Sequence, residues 1–195
     1  MLLKKIFIGS KIIKELIFKP SKPYFTIVEK VCLEQLEKKP NDCFIKWFLS
    51  NHYVNYKRFE SAQALLESLK AKGPVSRIVI LLLSRVYFNL QQYDKVVEVL
   101  DGYESLYESD IHNYYLGYSF SELKMFEDAT RYLRVYVKHY RKDYVGFVRL
   151  GYAYYMLRKY NLSLDAYKKA EGLKPEKNEI RESIDQCIKM LKRKK

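Results

Sequence analysis

The side chains that could do chemistry are scattered along this sequence. His52, His112 and His139 lie far apart, and no two of them form a metal-spaced pair. Cys32, Cys43 and Cys187 are odd in number and include no CxxC pair, so neither a zinc site nor a disulfide framework is indicated. A reducing compartment is the simplest reading. The seven glycines form no phosphate-cradling loop, and no G-x-S-x-G nucleophile elbow occurs. Carboxylates are plentiful, but they fall on the polar faces of expected helices, where i,i+4 charge pairs and solvent satisfy them. The expectation is a chain that is no enzyme, with no metal and no cofactor.

What must position any site is a set of helices. The chain has 195 residues, enough for one domain with a sizeable core, and 48% of them are hydrophobic. No apolar run approaches the length of a membrane span. Lys and Arg number 36 against 23 Asp and Glu, a formal charge of +13. That balance suits an acidic protein, nucleic acid or an anionic membrane. The chain is also rich in Lys, Tyr, Ile and Phe, the bias that AT-rich codons produce, so the charge alone requires no anionic partner.

The strongest signal is periodic. A small residue recurs at Ser50, Ser84, Gly117 and Gly151, in steps of 34, 33 and 34. A leucine precedes it each time, at Leu49, Leu83, Leu116 and Leu150. An aromatic follows three residues later, at Tyr53, Tyr87, Phe120 and Tyr154. Further on come an aromatic (Phe59, Tyr93, Phe126, Tyr160), a small or β-branched residue (Ala62, Val96, Ala129, Ser163) and a large one (Leu66, Leu100, Leu133, Tyr167). Six columns stay in register over four copies. Small positions let two helices approach closely, and the large ones fill the gap between them.

This pattern resembles the tetratricopeptide repeat, a helix–turn–helix unit of about 34 residues. The resemblance covers roughly Asp42 to Pro175 and implies an all-α fold, a right-handed α-solenoid closed by a C-terminal capping helix. Repeats are expected at 43–75, 76–109, 110–142 and 143–175, with residues 1–40 as a degenerate helix pair. Some positions depart from the family pattern. Only the last copy carries an aromatic at its fourth position, Phe147; the others have Lys46, Ile80 and Asn113. Its Ala170 corresponds to Leu69, Tyr103 and Tyr136 upstream, larger groups that should widen the helix spacing or shift packing to the next repeat. The one-residue shortening falls near Glu108 to Asp110.

Taken in order, residues 1–19 are amphipathic if helical, with Leu2, Leu3, Ile6, Ile13, Leu16 and Ile17 on one face and lysines on the other. Lys11 and Lys14 interrupt the apolar core that a cleaved signal would need, and no A-x-A-like site follows. This segment is expected to dock on the repeats; the alternative is a peripheral anchor on anionic membrane. Pro20 and Pro23 end it, and a helix from about Tyr24 to Glu37 follows. Helix pairs are expected at about 43–56 with 59–71, 76–90 with 93–106, 111–124 with 126–139, and 144–157 with 160–172. Lys-Gly-Pro at 72–74 breaks the first two pairs apart. Asp110 and Asp143 stand where N-caps belong. Gly102 costs roughly 1 kcal/mol inside a helix. After Glu176, residues Ile180, Ile184, Cys187, Ile188 and Leu191 form one stripe with polar groups elsewhere, as suits a helix that covers the bare end of a repeat array.

In the family the first helices of successive repeats line a concave groove. The resemblance places the second, fifth, ninth and twelfth positions of each copy there. These are Phe44, Trp47, Asn51 and Val54; Ile78, Leu81, Arg85 and Phe88; Ile111, Tyr114, Tyr118 and Ser121; and Val145, Val148, Tyr152 and Tyr155. Such a lining is aromatic, with Asn51 and Arg85 as polar handles, and suits a peptide or amphipathic helix of a partner protein. The chaperone-binding carboxylate clamp is mostly absent. Asn51 matches it, but Trp47 replaces its lysine and Leu82 its second asparagine. The reading is therefore a non-catalytic, cytoplasmic interaction scaffold. The alternative is a nucleic-acid-binding or membrane-peripheral adaptor that uses the basic surface.

Overall fold

The computed structural model describes residues 22–71, 76–100 and 110–193. The N-terminal segment, the Lys-Gly-Pro break, Gly102 and the one-residue shortening lie outside these residues. Among the described residues there are ten helices and no strand. They are α1 (Lys22–Lys38), α2 (Cys43–Asn55), α3 (Phe59–Lys70), α4 (Arg77–Asn89), α5 (Tyr93–Leu100), α6 (Asp110–Glu122), α7 (Phe126–His139), α8 (Tyr144–Met156), α9 (Tyr160–Leu173) and α10 (Asn178–Arg193). A helix stands at each expected position, with the described ends shifted by a few residues; the expected end of the 93–106 helix lies outside the described residues. The α1 helix starts at Lys22 and carries Pro23 in its first turn, where a missing N–H leaves no intrahelical bond unmade. No helix among the described residues is long and apolar enough to cross a membrane.

The chain divides into two compact units, one ending at Val86 and the other beginning at Tyr87. In the first, α1 packs on α2 and α2 on α3. Asp42 caps α2, its Oδ1 accepting from Phe44 N and Ile45 N at 3.1 Å. Leu49, Ser50, Ala62 and Leu66 are fully buried between α2 and α3. The Ser50 hydroxyl donates to Lys46 O at 2.6 Å and so needs no outside partner. On the other side of α2, His52 stacks on Phe25 of α1 at 5.0 Å, and Tyr56 and Arg58 close over the same ring.

In the second unit α5 packs on α6, and each helix thereafter on the next through α10. The small columns are close contacts. A methyl group on Gly117 would meet Leu133 Cγ at 2.6 Å, and one on Gly151 would meet the Tyr167 ring at 2.8 Å. Ser163 holds three helices together: its hydroxyl lies 2.8 Å from Gly151 O on α8 and 3.2 Å from Cys187 Sγ on α10. Ile180, Ile184 and Cys187 are buried, so α10 covers α9 with the stripe read from the sequence. Burying each such aliphatic side chain contributes about 1.5–3 kcal/mol.

Tyr136 settles which of the two expected outcomes holds for the oversized column. It is 7% exposed and points to the next repeat, where a Cβ on Gly146 would meet its ring at 2.9 Å. The packing has shifted to a neighbour that has no side chain.

Candidate functional site

In the second unit the expected lining residues sit on α6 and α8, with half-buried Phe88 at the end of α4. Ile111, Val145 and Tyr152 are exposed, and Tyr114, Tyr118, Val148 and Tyr155 are half-buried. Ser121 departs from the expectation: it is 3% exposed and belongs to the packing. Helical spacing explains the rest, since positions three or four apart share a face.

The aromatic residues form one cluster around Phe88 and Tyr118 and two separate pairs on α8. Phe88 lies 4.7 Å from the Tyr115 ring, 4.9 Å from Tyr118 and 5.8 Å from Tyr114. Tyr93 lies 5.8 Å from Tyr118, and Tyr114 lies 5.0 Å from Tyr136. Tyr152 meets Phe126 edge-on at 5.9 Å, and Tyr155 meets Tyr160 at 5.4 Å. Such pairs fix the rings in place, which lowers the entropy cost of any later contact.

One residue on this face was not legible in the sequence. The Arg149 guanidinium stacks 3.8 Å over the Tyr118 ring and donates to the Tyr118 hydroxyl. Its other branch forms an ion pair with Glu122 at 2.7 Å. Arg149 is at the sixth position of its repeat, adjacent to the fifth-position Val148, so the four-position rule passes over it. The available signal was a cation at 149 beside the ninth-position Tyr118 of the preceding copy. Stacking and two-branched bonding both need the planar fork of arginine; lysine could supply neither.

Burial pushes the Tyr114 phenol up to about 12 and also raises Tyr93, with nearby Tyr118 reinforcing both. The phenols are therefore neutral donors and acceptors at physiological pH. An aromatic surface with neutral hydroxyls and one ion-paired arginine can hold an extended or helical peptide by ring contact and hydrogen bonding. Among the described residues no group of three or more His, Cys, Asp or Glu could hold a metal ion.

In the first unit Phe44 is 45% exposed and lies 5.9 Å from half-buried Trp47. Asn51 and Leu81 are half-buried, and Arg85 is exposed. Val54, at 1% exposure, is core and not lining. Trp47 Nε1 is buried without an acceptor among the described residues. Leu82, which replaces the clamp asparagine, is buried too.

No protein-family model matches the sequence, and no curated protein matches it. Solved structures do match in fold. MamA from Desulfovibrio magneticus RS-1 is 17% identical, covers 78% of this chain and 93% of its own, and superposes with a TM-score of 0.64. MamA AMB-1 is 20% identical over 77% of this chain and 83% of its own, with a TM-score of 0.70. YrrB, described as a TPR protein with an unusual peptide-binding site, is 16% identical over 93% of this chain and 86% of its own, with a TM-score of 0.70. With the recurring columns, the helix pairs and these superpositions, the chain has the all-α solenoid fold of the tetratricopeptide-repeat proteins.

Proposed function

We propose that this chain is a non-catalytic protein-interaction scaffold whose first-helix faces hold a peptide segment or amphipathic helix of a partner. In the second unit the contact residues are Phe88, Tyr114, Tyr118, Val148, Tyr152 and Tyr155, with Arg149 as the charged anchor. In the first they are Phe44, Trp47, Asn51, Leu81 and Arg85. Repeats at 43–75, 76–109, 110–142 and 143–175 carry these faces, and residues 176–193 cap the last. The observation behind the reading is the exposure of Ile111, Val145 and Tyr152, each above 40%, beside a fixed cluster of tyrosines. Large apolar groups grouped on a soluble surface mark interaction sites. YrrB lends support as a protein of the same fold with a peptide-binding site. An odd number of cysteines without a CxxC pair suits a reducing compartment, and we assign the cytoplasm.

A photo-crosslinking side chain in place of Tyr152 tests the site. The expected result is an adduct with a defined segment of one partner protein, lost in the Tyr118→Ala/Tyr155→Ala variant. Equal crosslinking in that variant, with helicity unchanged by circular dichroism, overturns the reading. So does an adduct made only with nucleic acid.

A further inference from the structure

A second surface of the second unit has a different character. Between α7 and α9 runs an open groove of about 660 Å³, floored by Phe147 and Leu150 of α8. That volume is within the range of ligand-binding clefts. One wall is cationic: Arg134, Lys138 and Arg141 follow one another at helical spacing along α7 and the turn after it. The other wall carries Leu162, 47% exposed, and Lys169, whose ammonium stands 5.7 Å over the Phe147 ring. Asp165 is the lone carboxylate of the lining. Among the described residues, none of the four cations makes an ion pair. Arg141 Nε donates to Lys138 O at 3.2 Å, which holds its side chain along the wall.

We propose that this groove binds an acidic amphipathic segment of a partner protein, with its apolar side chains toward Leu162 and the floor and its carboxylates against Arg134, Lys138 and Arg141. The assignment follows from charge and shape together. A second copy of this chain carries +13 and would be repelled, as would the N-terminal residues 1–21, which hold five lysines against Glu15. Nucleic acid would answer the cations but leave Leu162 uncovered. From Leu162 to Leu173 the α9 wall runs twelve residues, eleven steps of 1.5 Å or about 16 Å, so the occupant is about three helical turns long. Gly172 leaves one end open, since a Cβ there would meet nothing within 4 Å. This site is separate from the first-helix face, and neither proposal depends on the other.

The test is fluorescence anisotropy with a labelled synthetic helix of Glu, Leu and Ala, its leucines spaced three and four apart. The full chain should bind it, and the affinity should fall by about tenfold or more on raising salt from low to physiological strength. Arg134→Glu/Lys138→Glu should abolish binding of this peptide and instead bind its Glu→Lys counterpart. That reversal cannot arise from misfolding. Leu162→Asp should weaken the acidic peptide, whereas Tyr118→Ala/Tyr155→Ala should leave it bound. Overturning results are no binding by the folded wild type, no charge-swap rescue, loss of binding on altering Tyr118 and Tyr155, or a labelled oligonucleotide bound in preference to the peptide.

Discussion

The Tyr136 hydroxyl donates a 2.7 Å hydrogen bond to Asp143 Oδ2, while Asp143 Oδ1 accepts from Val145 N at 3.0 Å to cap α8. One carboxylate thus joins the end of one repeat to the start of the next. Burial, with the bonded carboxylate as second cause, raises the Tyr136 phenol above its ordinary range. Tyr136→Phe should lower stability by about 1.5–3 kcal/mol, the range for a bond to a charged group. Asp143→Ala should lose this bond and a cap contribution of about 0.5–2 kcal/mol. Thermal denaturation of both single variants and the double should give non-additive losses, because they share one carboxylate.

Three glycines should respond to alanine with different signs. Gly151→Ala drives a methyl into the Tyr167 ring, and Gly117→Ala into Leu133, whose backbone N lies 3.0 Å from the new atom. Overpacking of this kind costs about 1–3 kcal/mol. Gly172→Ala meets nothing and removes the helix-interior penalty of glycine, so it should stabilise by about 1 kcal/mol. Urea midpoints at unchanged m-value would check all three.

The turns inside the helix pairs carry strain at one repeated position. Lys57, Gln91, Lys124 and Arg158 have φ between 56° and 62°, the left-handed region that favours glycine. Each precedes a residue whose N–H reaches back to the aromatic column: Arg58 to Tyr53 O, Gln92 to Tyr87 O, Met125 to Phe120 O and Lys159 to Tyr154 O, at 2.8–3.0 Å. This is the closure of a Schellman motif. Replacing Lys124 by glycine should raise stability by about 0.5–1 kcal/mol, and Lys124→Val should lower it. Melting temperatures of the pair would decide it.

Stability should fall at both pH extremes. His52 is buried on Phe25, with Nε2 3.3 Å from Phe25 O, and burial lowers its pKa below the ordinary 6.5. Tyr24, Tyr56 and Glu29 face the same cluster. The unfolded chain therefore binds a proton that the folded chain refuses, and stability present above pH 6.5 is lost as pH falls below it. Tyr53, Tyr114 and Tyr167 are pushed by burial from 10.0 to about 12. Here the unfolded chain releases protons first, so stability is lost as pH rises from 10 toward 12. Denaturant titrations across pH should show both flanks, and His52→Phe should flatten the acid one. Tyrosinate absorbance should show a class of phenols that ionises only near the alkaline transition.

The sequence by itself determined the helices and their pairing. Leucine, small and aromatic columns in register are a property of spacing, and spacing on a helix fixes which residues share a face. Asp143 as a cap follows from residue type and position in the same way. Asp42, one residue before α2, caps by the same chemistry. Contacts between side chains of different repeats were decided only by the tertiary structure. Val54 and Ser121 occupy lining positions by count yet are buried, because their side chains are too short to reach past their neighbours, whereas the aromatic Phe88 and Tyr155 at the same twelfth position reach the surface. Arg149 is one residue off the lining rule and still controls Tyr118, since a long side chain reaches across to the preceding repeat. The left-handed turns carry no glycine to announce them; the bond each makes to the aromatic column holds the backbone there. The basic groove is assembled from residues 134–141 on α7 and the turn after it and from residues 162–173 on α9. Nothing in either stretch records that the two walls stand across a gap, because that distance is set by the packing of α8 between them.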